Sequence, residues 1–332
     1  MFVAEETRKS DMATGKPQLL LVHGIGGLRD TAIDRRGWLE SLAGGARDAE
    51  MADVISALTQ GWLADVTFAN YSDLFNRKGA QGDAAGELDD HDVPFLTELL
   101  GSMLDELAEE FPSESNPQNA RVIRDARFQL DAAAQGRQSQ GPGEIGRRLV
   151  GVTTTLLRLP GVRQAAQWMN GWALLFQLAQ VGRYLDRRPT KAKLGSTVRA
   201  RVLDDLDPAR PLVVVSHSLG TVVAYEALHE YEGTVPLWVT LGSPLALGTV
   251  VLDRLVPAPA TCPKNVASWL NFWDRDDIVV GRPQLADWIR PSRNGVKAVT
   301  ERVDSPGFWT HTATKYLRHG AVARPVIEAL RP

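Results

Sequence analysis

Ser218 stands where a β-branched apolar run gives way to a helical pattern, in Val213-Val214-Val215-Ser216-His217-Ser218-Leu219-Gly220-Thr221-Val222-Val223. The run fits a buried strand, and Leu219, Val222, Val223, Ala227 and Leu228 can then share one helical face. A serine at the apex of such a turn projects above the sheet edge, at a helix N-terminus. Small residues must flank it, because the strand and helix backbones pass close together there. Gly220 meets that need, and Ser216 stands where glycine is more usual. A hydroxyl nucleophile also needs a base, and the base needs an acid to orient it. Acids are available in Asp274, Asp276 and Asp277, which end an apolar run over 266–273. Among six histidines, His311 lies in a loop after the last strand-like run, 295–303.

The elbow resembles that of the α/β-hydrolase superfamily, in a Ser-x-Ser-x-Gly version of Gly-x-Ser-x-Gly, and the other motifs are similar to its lipase-like and inositol-deacylase-like branch. The resemblance implies a Ser–acid–His order, with Ser218 as nucleophile and His311, followed by Tyr316-Leu317, as general base. The family form Trp-x-Asn, aromatic, Asp-x-x-Asp-x-Val favours Asp277 as the acid, whereas a shorter Asp-x-Ile register selects Asp276. Neighbouring side chains in extended backbone point opposite ways, so one of the two reaches the histidine. Asp274 is read as capping a turn or pairing with a cation.

The apolar run 18–22 ends in His23-Gly24-Ile25-Gly26-Gly27. Glycines there let the backbone turn sharply and point N–H groups into a shared pocket. By resemblance this is the oxyanion turn, with Ile25 or Gly26 as one N–H donor, Leu219 as the other, and His23 and Gly24 in support. A phosphate-binding loop is the rival reading, but no Gly-Lys-Ser/Thr follows.

The fold implied is α/β: a mostly parallel sheet flanked by helices, one domain over 1–332 with core segments 17–71 and 196–332. Between them, 72–195 reads as a helical cap or lid insertion. The segment 31–60 reads as helix and 62–71 as strand. A Gly-, Ala- and Asp-rich loop (79–92) precedes helical stretches at 94–111 and 118–135. A second loop, 135–146, leads to the apolar stretch 149–181, broken at Pro160-Gly161. Within it Ala165, Met169, Trp172, Phe176 and Ala179 recur at helical spacing, with Gln164, Gln167, Asn170, Gln177 and Gln180 on much of the remainder.

The expected reaction is hydrolysis of a carboxylic ester through an acyl-enzyme, with an acyl-ester or lipid substrate and a preference for acyl chains over acetyl. Thioester or amide cleavage, and a catalytically silent fold used for binding, are the alternatives. No metal or organic cofactor is required. The three aspartates lack the spread and glycine turn of a calcium loop. A net charge of −3 gives no case for nucleic-acid binding. Cys262, the single cysteine, excludes an internal disulfide. The charged stretch 1–16 does not read as a signal peptide and no apolar run is long enough to span a bilayer. The expected location is cytoplasmic, with peripheral lipid contact through the insertion as an option.

Overall fold

Six strands, all parallel, form one sheet in the order β2-β1-β3-β4-β5-β6. They are β1 (Gln18–Val22), β2 (Asp65–Ala69), β3 (Leu212–His217), β4 (Leu237–Leu241), β5 (Trp269–Asp274) and β6 (Ala298–Val303). The computed structural model describes residues 15–331 except 25, 76–87, 89–90, 136–141, 160–169, 189–192, 278 and 307–309. Most of the loop read at 79–92, part of that at 135–146, the break at Pro160-Gly161, and Ala165 and Met169 therefore lie outside the described residues.

The central strands are apolar on both faces because helices cover both. Leu20, Val22, Leu212 and Val214 join one core cluster, and Leu19, Leu21, Val213 and Val215 join the other. On the second face lie α1 (Thr31–Asp48), α2 (Ile55–Thr59), and, near the C-terminus, α10 (Ala313–Leu317) and α11 (Gly320–Leu330). Asp30 caps α1 through its side chain, accepting from the N–H groups of Ala32 and Ile33 at 2.9 and 3.0 Å. The single helix expected over 31–60 is two, because the chain turns at Glu50 with φ of 59°.

The first face carries α3 (Asp92–Glu110), α4 (Pro117–Gln135), α5 (Pro142–Leu156), α6 (Gly171–Leu185) and α7 (Lys193–Leu203), all between β2 and β3. It also carries α8 (Leu219–Glu230) and the short α9 (Gly248–Leu252). These inserted helices share one continuous apolar cluster with the sheet. The buried face of α6 runs through Leu174, Leu175, Leu178, Val181 and Leu185, while Trp172 is 37% exposed. Of the face expected from Trp172, Phe176 and Ala179, Ala179 is buried in the core cluster, whereas Trp172 and Phe176 are displaced toward its edge by the aliphatic side chains of Leu174, Leu175 and Leu178. Among the described residues no helix is long and apolar enough to cross a membrane.

From β1 the chain moves to β2 at one edge and then crosses back to β3 on the other side. Such a reversal opens a crevice at the carboxyl ends of the two strands, where ligands bind in open α/β sheets. Gly24 follows β1 and Ser218 follows β3, so both face it.

Candidate active site

β3 runs directly into α8, and Ser218 makes the corner with φ 55° and ψ −131°, a conformation that L-residues rarely adopt. The turn is tight enough that a Cβ on Gly220 would lie 2.4 Å from the carbonyl oxygens of Val22 and His23. Thr221 fixes the corner, its N–H and Oγ1–H donating to the Ser218 carbonyl at 2.9 and 2.8 Å. Ser216, unusual for such an elbow, has a packing role. Its Oγ accepts from Trp238 Nε1–H at 2.9 Å and donates to the Val239 carbonyl at 3.1 Å. Trp238 stacks on Trp269, 4.2 Å between centroids, so the hydroxyl satisfies an indole N–H that glycine would leave unpaired.

Ser218, His311 and Asp277 come together. Ser218 Oγ–H donates to His311 Nε2 at 2.8 Å, and His311 Nδ1–H donates to Asp277 Oδ2 at 2.8 Å. A carboxylate only accepts, which sets this tautomer. All three residues are buried. Asp277 sits just after β5 and His311 just before α10, so the sheet's carboxyl edge supports all three residues.

Asp277 has two further donors: Tyr316 Oη–H to Oδ2 at 2.7 Å and Val279 N–H to Oδ1 at 3.1 Å. Burial and the Asp277 charge hold the Tyr316 hydroxyl well above the ordinary tyrosine range, so it stays a donor. Gly242, at φ of 52°, leaves room here; a Cβ would stand 2.7 Å from Asp277 Oδ2. Asp276 is not brought to the histidine; its side chain is 35% exposed and lies beside Arg275 at 3.4 Å. Asp274 is buried and caps the turn, accepting from Asp276 N–H at 3.0 Å and Ser305 N–H at 2.7 Å.

At the β1 turn, His23 is buried and stacked on Tyr71. Its Nδ1–H donates to the Gly24 carbonyl, and its Nε2 accepts from Tyr71 N–H at 3.4 Å. Leu219 opens α8, and its N–H is one of the donors that a helix start leaves without an intrahelical acceptor. Gly26 N–H is directed instead at Gln180 Oε1, 3.5 Å away. Ile25 lies outside the described residues. A cavity of about 390 Å³ opens beside Ser218 and His311, lined also by His217, Gln177, Arg29 and Thr312.

Two buried histidines make the fold acid-sensitive. His23 is pushed down to about 3, by burial first and by Arg29 second. Burial, then His311 and Arg29, holds His217 well below the ordinary value. Both rings are neutral in the folded chain, whereas in the unfolded chain they take up protons as pH drops below 6.5. The stability they allow is present above pH 6.5 and is lost as pH falls, for His23 down to about 3. Together they should remove roughly 2–3 kcal/mol between about pH 7.5 and pH 5.5. Urea unfolding at the two pH values checks this; His217→Gln should lose about half as much, and an unchanged midpoint in wild type would contradict it.

Tyr316 was visible in the sequence only as part of a pattern, without its contact to the acid. Gln177 and Gln180 were visible as polar residues in an apolar helix, without a role at the site. No family model, no curated protein and no solved structure matches this chain. Among the described residues no cluster of histidine, cysteine and acidic side chains could hold a metal ion. Burial pushes the Cys262 thiol up to about 12, which leaves it unreactive.

Proposed function

We propose that this chain is a serine hydrolase of α/β-hydrolase architecture that cleaves carboxylic esters, with α3–α7 as its cap. The observation that carries the reading is the unbroken hydrogen-bonded chain Ser218–His311–Asp277. Its placement at the sheet's switch point and the strained serine corner support the same reading.

In this reaction Ser218 Oγ attacks the substrate carbonyl carbon while His311 Nε2 takes its proton. The tetrahedral oxyanion is received by the Leu219 N–H and the turn after His23. Asp277, held by Tyr316, stabilises the imidazolium and fixes its tautomer. His311 then returns the proton to the departing alcohol oxygen as the C–O bond breaks. Water, deprotonated by His311, adds to the acyl-enzyme, and carboxylate leaves as Ser218 recovers its proton. Thioesters and amides would follow the same course. Ile33, 69% exposed at the cavity, favours an ester presented at a lipid surface as a second reading.

The test is labelling by a fluorophosphonate, read by intact mass. Wild type should gain one adduct with loss of fluoride; Ser218→Ala, folded by circular dichroism, should gain none. Its hydrolysis of p-nitrophenyl esters should fall by at least about 10³-fold. A folded wild-type protein that takes no adduct would count against the reading.

A further inference from the structure

The polar face of α6 has its explanation at the catalytic pocket. Gln177 and Gln180, three residues apart, stand on neighbouring positions of one helical surface. Gln180 is 2% exposed, and its carboxamide meets both the N–H and the carbonyl of Gly26. Gly26 N–H points to Oε1 at 3.5 Å, and Nε2–H points to the Gly26 carbonyl at 3.4 Å. The helix is therefore registered against the turn that follows β1. One turn further along, Arg183 forms an ion pair with Asp92 of α3, and Tyr184 Oη–H donates to Glu226 of α8 at 2.8 Å. Anchored on three sides, α6 forms a fixed wall and cannot swing as a lid without breaking these contacts.

Gln177 is the residue this wall presents to the nucleophile. It lines the same cavity as Ser218 and His311. Its Oε1 is buried and has no hydrogen-bond partner among the described residues. A buried carbonyl oxygen without a donor carries an uncompensated desolvation cost, and one at a cavity wall is satisfied when a ligand supplies the donor. The carboxamide torsion is soft, so a small rotation turns the oxygen into the cavity. Across the cavity the described lining is mixed, with Arg29, Asp34, Thr312 and Thr314 interspersed among Ile33, Trp38 and Ala313. The large aliphatic side chains of α6 are absent from this lining; they pack into the apolar cluster on the side of α3, α5 and α7.

We propose that Gln177 is a substrate-reading residue, accepting a hydrogen bond from a hydroxyl or amide N–H of the substrate. The substrate class is then an ester whose acyl or alcohol part carries such a donor, in preference to its plain alkyl counterpart. This rests on the serine-hydrolase reading above. Gln180 acts as a positioning residue, holding the turn against which that substrate sits.

The experiment uses two pairs of esters matched in length, one differing by a hydroxyl on the acyl chain and the other by a hydroxyl on the alcohol. Wild type, Gln177→Leu and Gln177→Met are compared by kcat/KM, with fluorophosphonate labelling rate as the independent measure of Ser218. In at least one pair, wild type should prefer the hydroxylated member by about tenfold or more. Both variants should lose that preference, with labelling within about threefold of wild type. Equal rates within both pairs in a wild type that labels normally overturn the assignment and leave the serine hydrolase standing. So does a preference that survives in both variants. A wild type that neither labels nor hydrolyses overturns both readings together.

Discussion

Asp277→Asn should lower kcat/KM for ester hydrolysis by about 10⁴-fold, and Asp276→Asn by less than about threefold. The carboxylate at Asp277 accepts from His311 and Tyr316 through one oxygen and from Val279 through the other. An amide in its place offers a single accepting oxygen. If the NH₂ end faces the ring, Nδ1 must accept, the proton moves to Nε2, and the group that should deprotonate Ser218 becomes a donor. Asp276, beside Arg275 at the surface, has no such contact. Steady-state rates on one activated ester, with labelling rates in parallel, check the ranking. The reverse order would transfer the acid's role to Asp276.

A second large effect is expected far from the chemistry, at Glu226 on the helix that begins with the nucleophile. Its side chain is 2% exposed and takes hydrogen bonds from Tyr184 at 2.8 Å, Arg199 at 3.1 Å and Val256 N–H at 3.1 Å, with Arg187 also paired to it. Glu226→Leu removes the anion that Arg187 and Arg199 share, leaving Arg199 only Glu230 among the described residues, and deprives the Tyr184 hydroxyl and the Val256 amide of this acceptor. Removing one partner of a buried ion pair costs about 3–5 kcal/mol. Small-domain stabilities are about 5–15 kcal/mol, so much of the margin should go. Urea unfolding measures the loss, and Glu226→Gln, which keeps an acceptor, should fall between the two. A change below about 1 kcal/mol in the leucine variant would mean that the network is not an anchor.

The parts of this architecture that were legible in the sequence are those governed by local pattern. Val213–Val215 cannot be exposed and have no helical period, so a buried strand follows, and Gly220 marks the close approach after it. The acid was only half legible. Nothing in Asp274-Arg275-Asp276-Asp277 says which carboxylate turns inward, because that depends on Tyr316, some forty residues later, and on the room left by Gly242. Asp274, the last residue of β5, spends one oxygen on the turn through Asp276 and the other on Ser305 after β6. The reading of α6 missed for a related reason: periodicity shows that a helix has two faces, but not that the partner of one is the turn after β1, more than 150 residues earlier. Gln180 is buried because Gly26 offers it a peptide, a pairing that no window along the chain contains.

The corner at Ser218 carries a cost that the rest of the molecule must bear. A side chain held at φ 55° and ψ −131° lies outside the regions that L-residues favour, and such positions cost of the order of 1–3 kcal/mol. Glycine there would be at ease, and the fold would gain by the exchange. Under selection for durability alone, this position would drift toward glycine, and repeated rounds of thermostabilising selection would discard the hydroxyl first. In the serine-hydrolase reading proposed above, the hydroxyl at this corner is stability exchanged for reactivity.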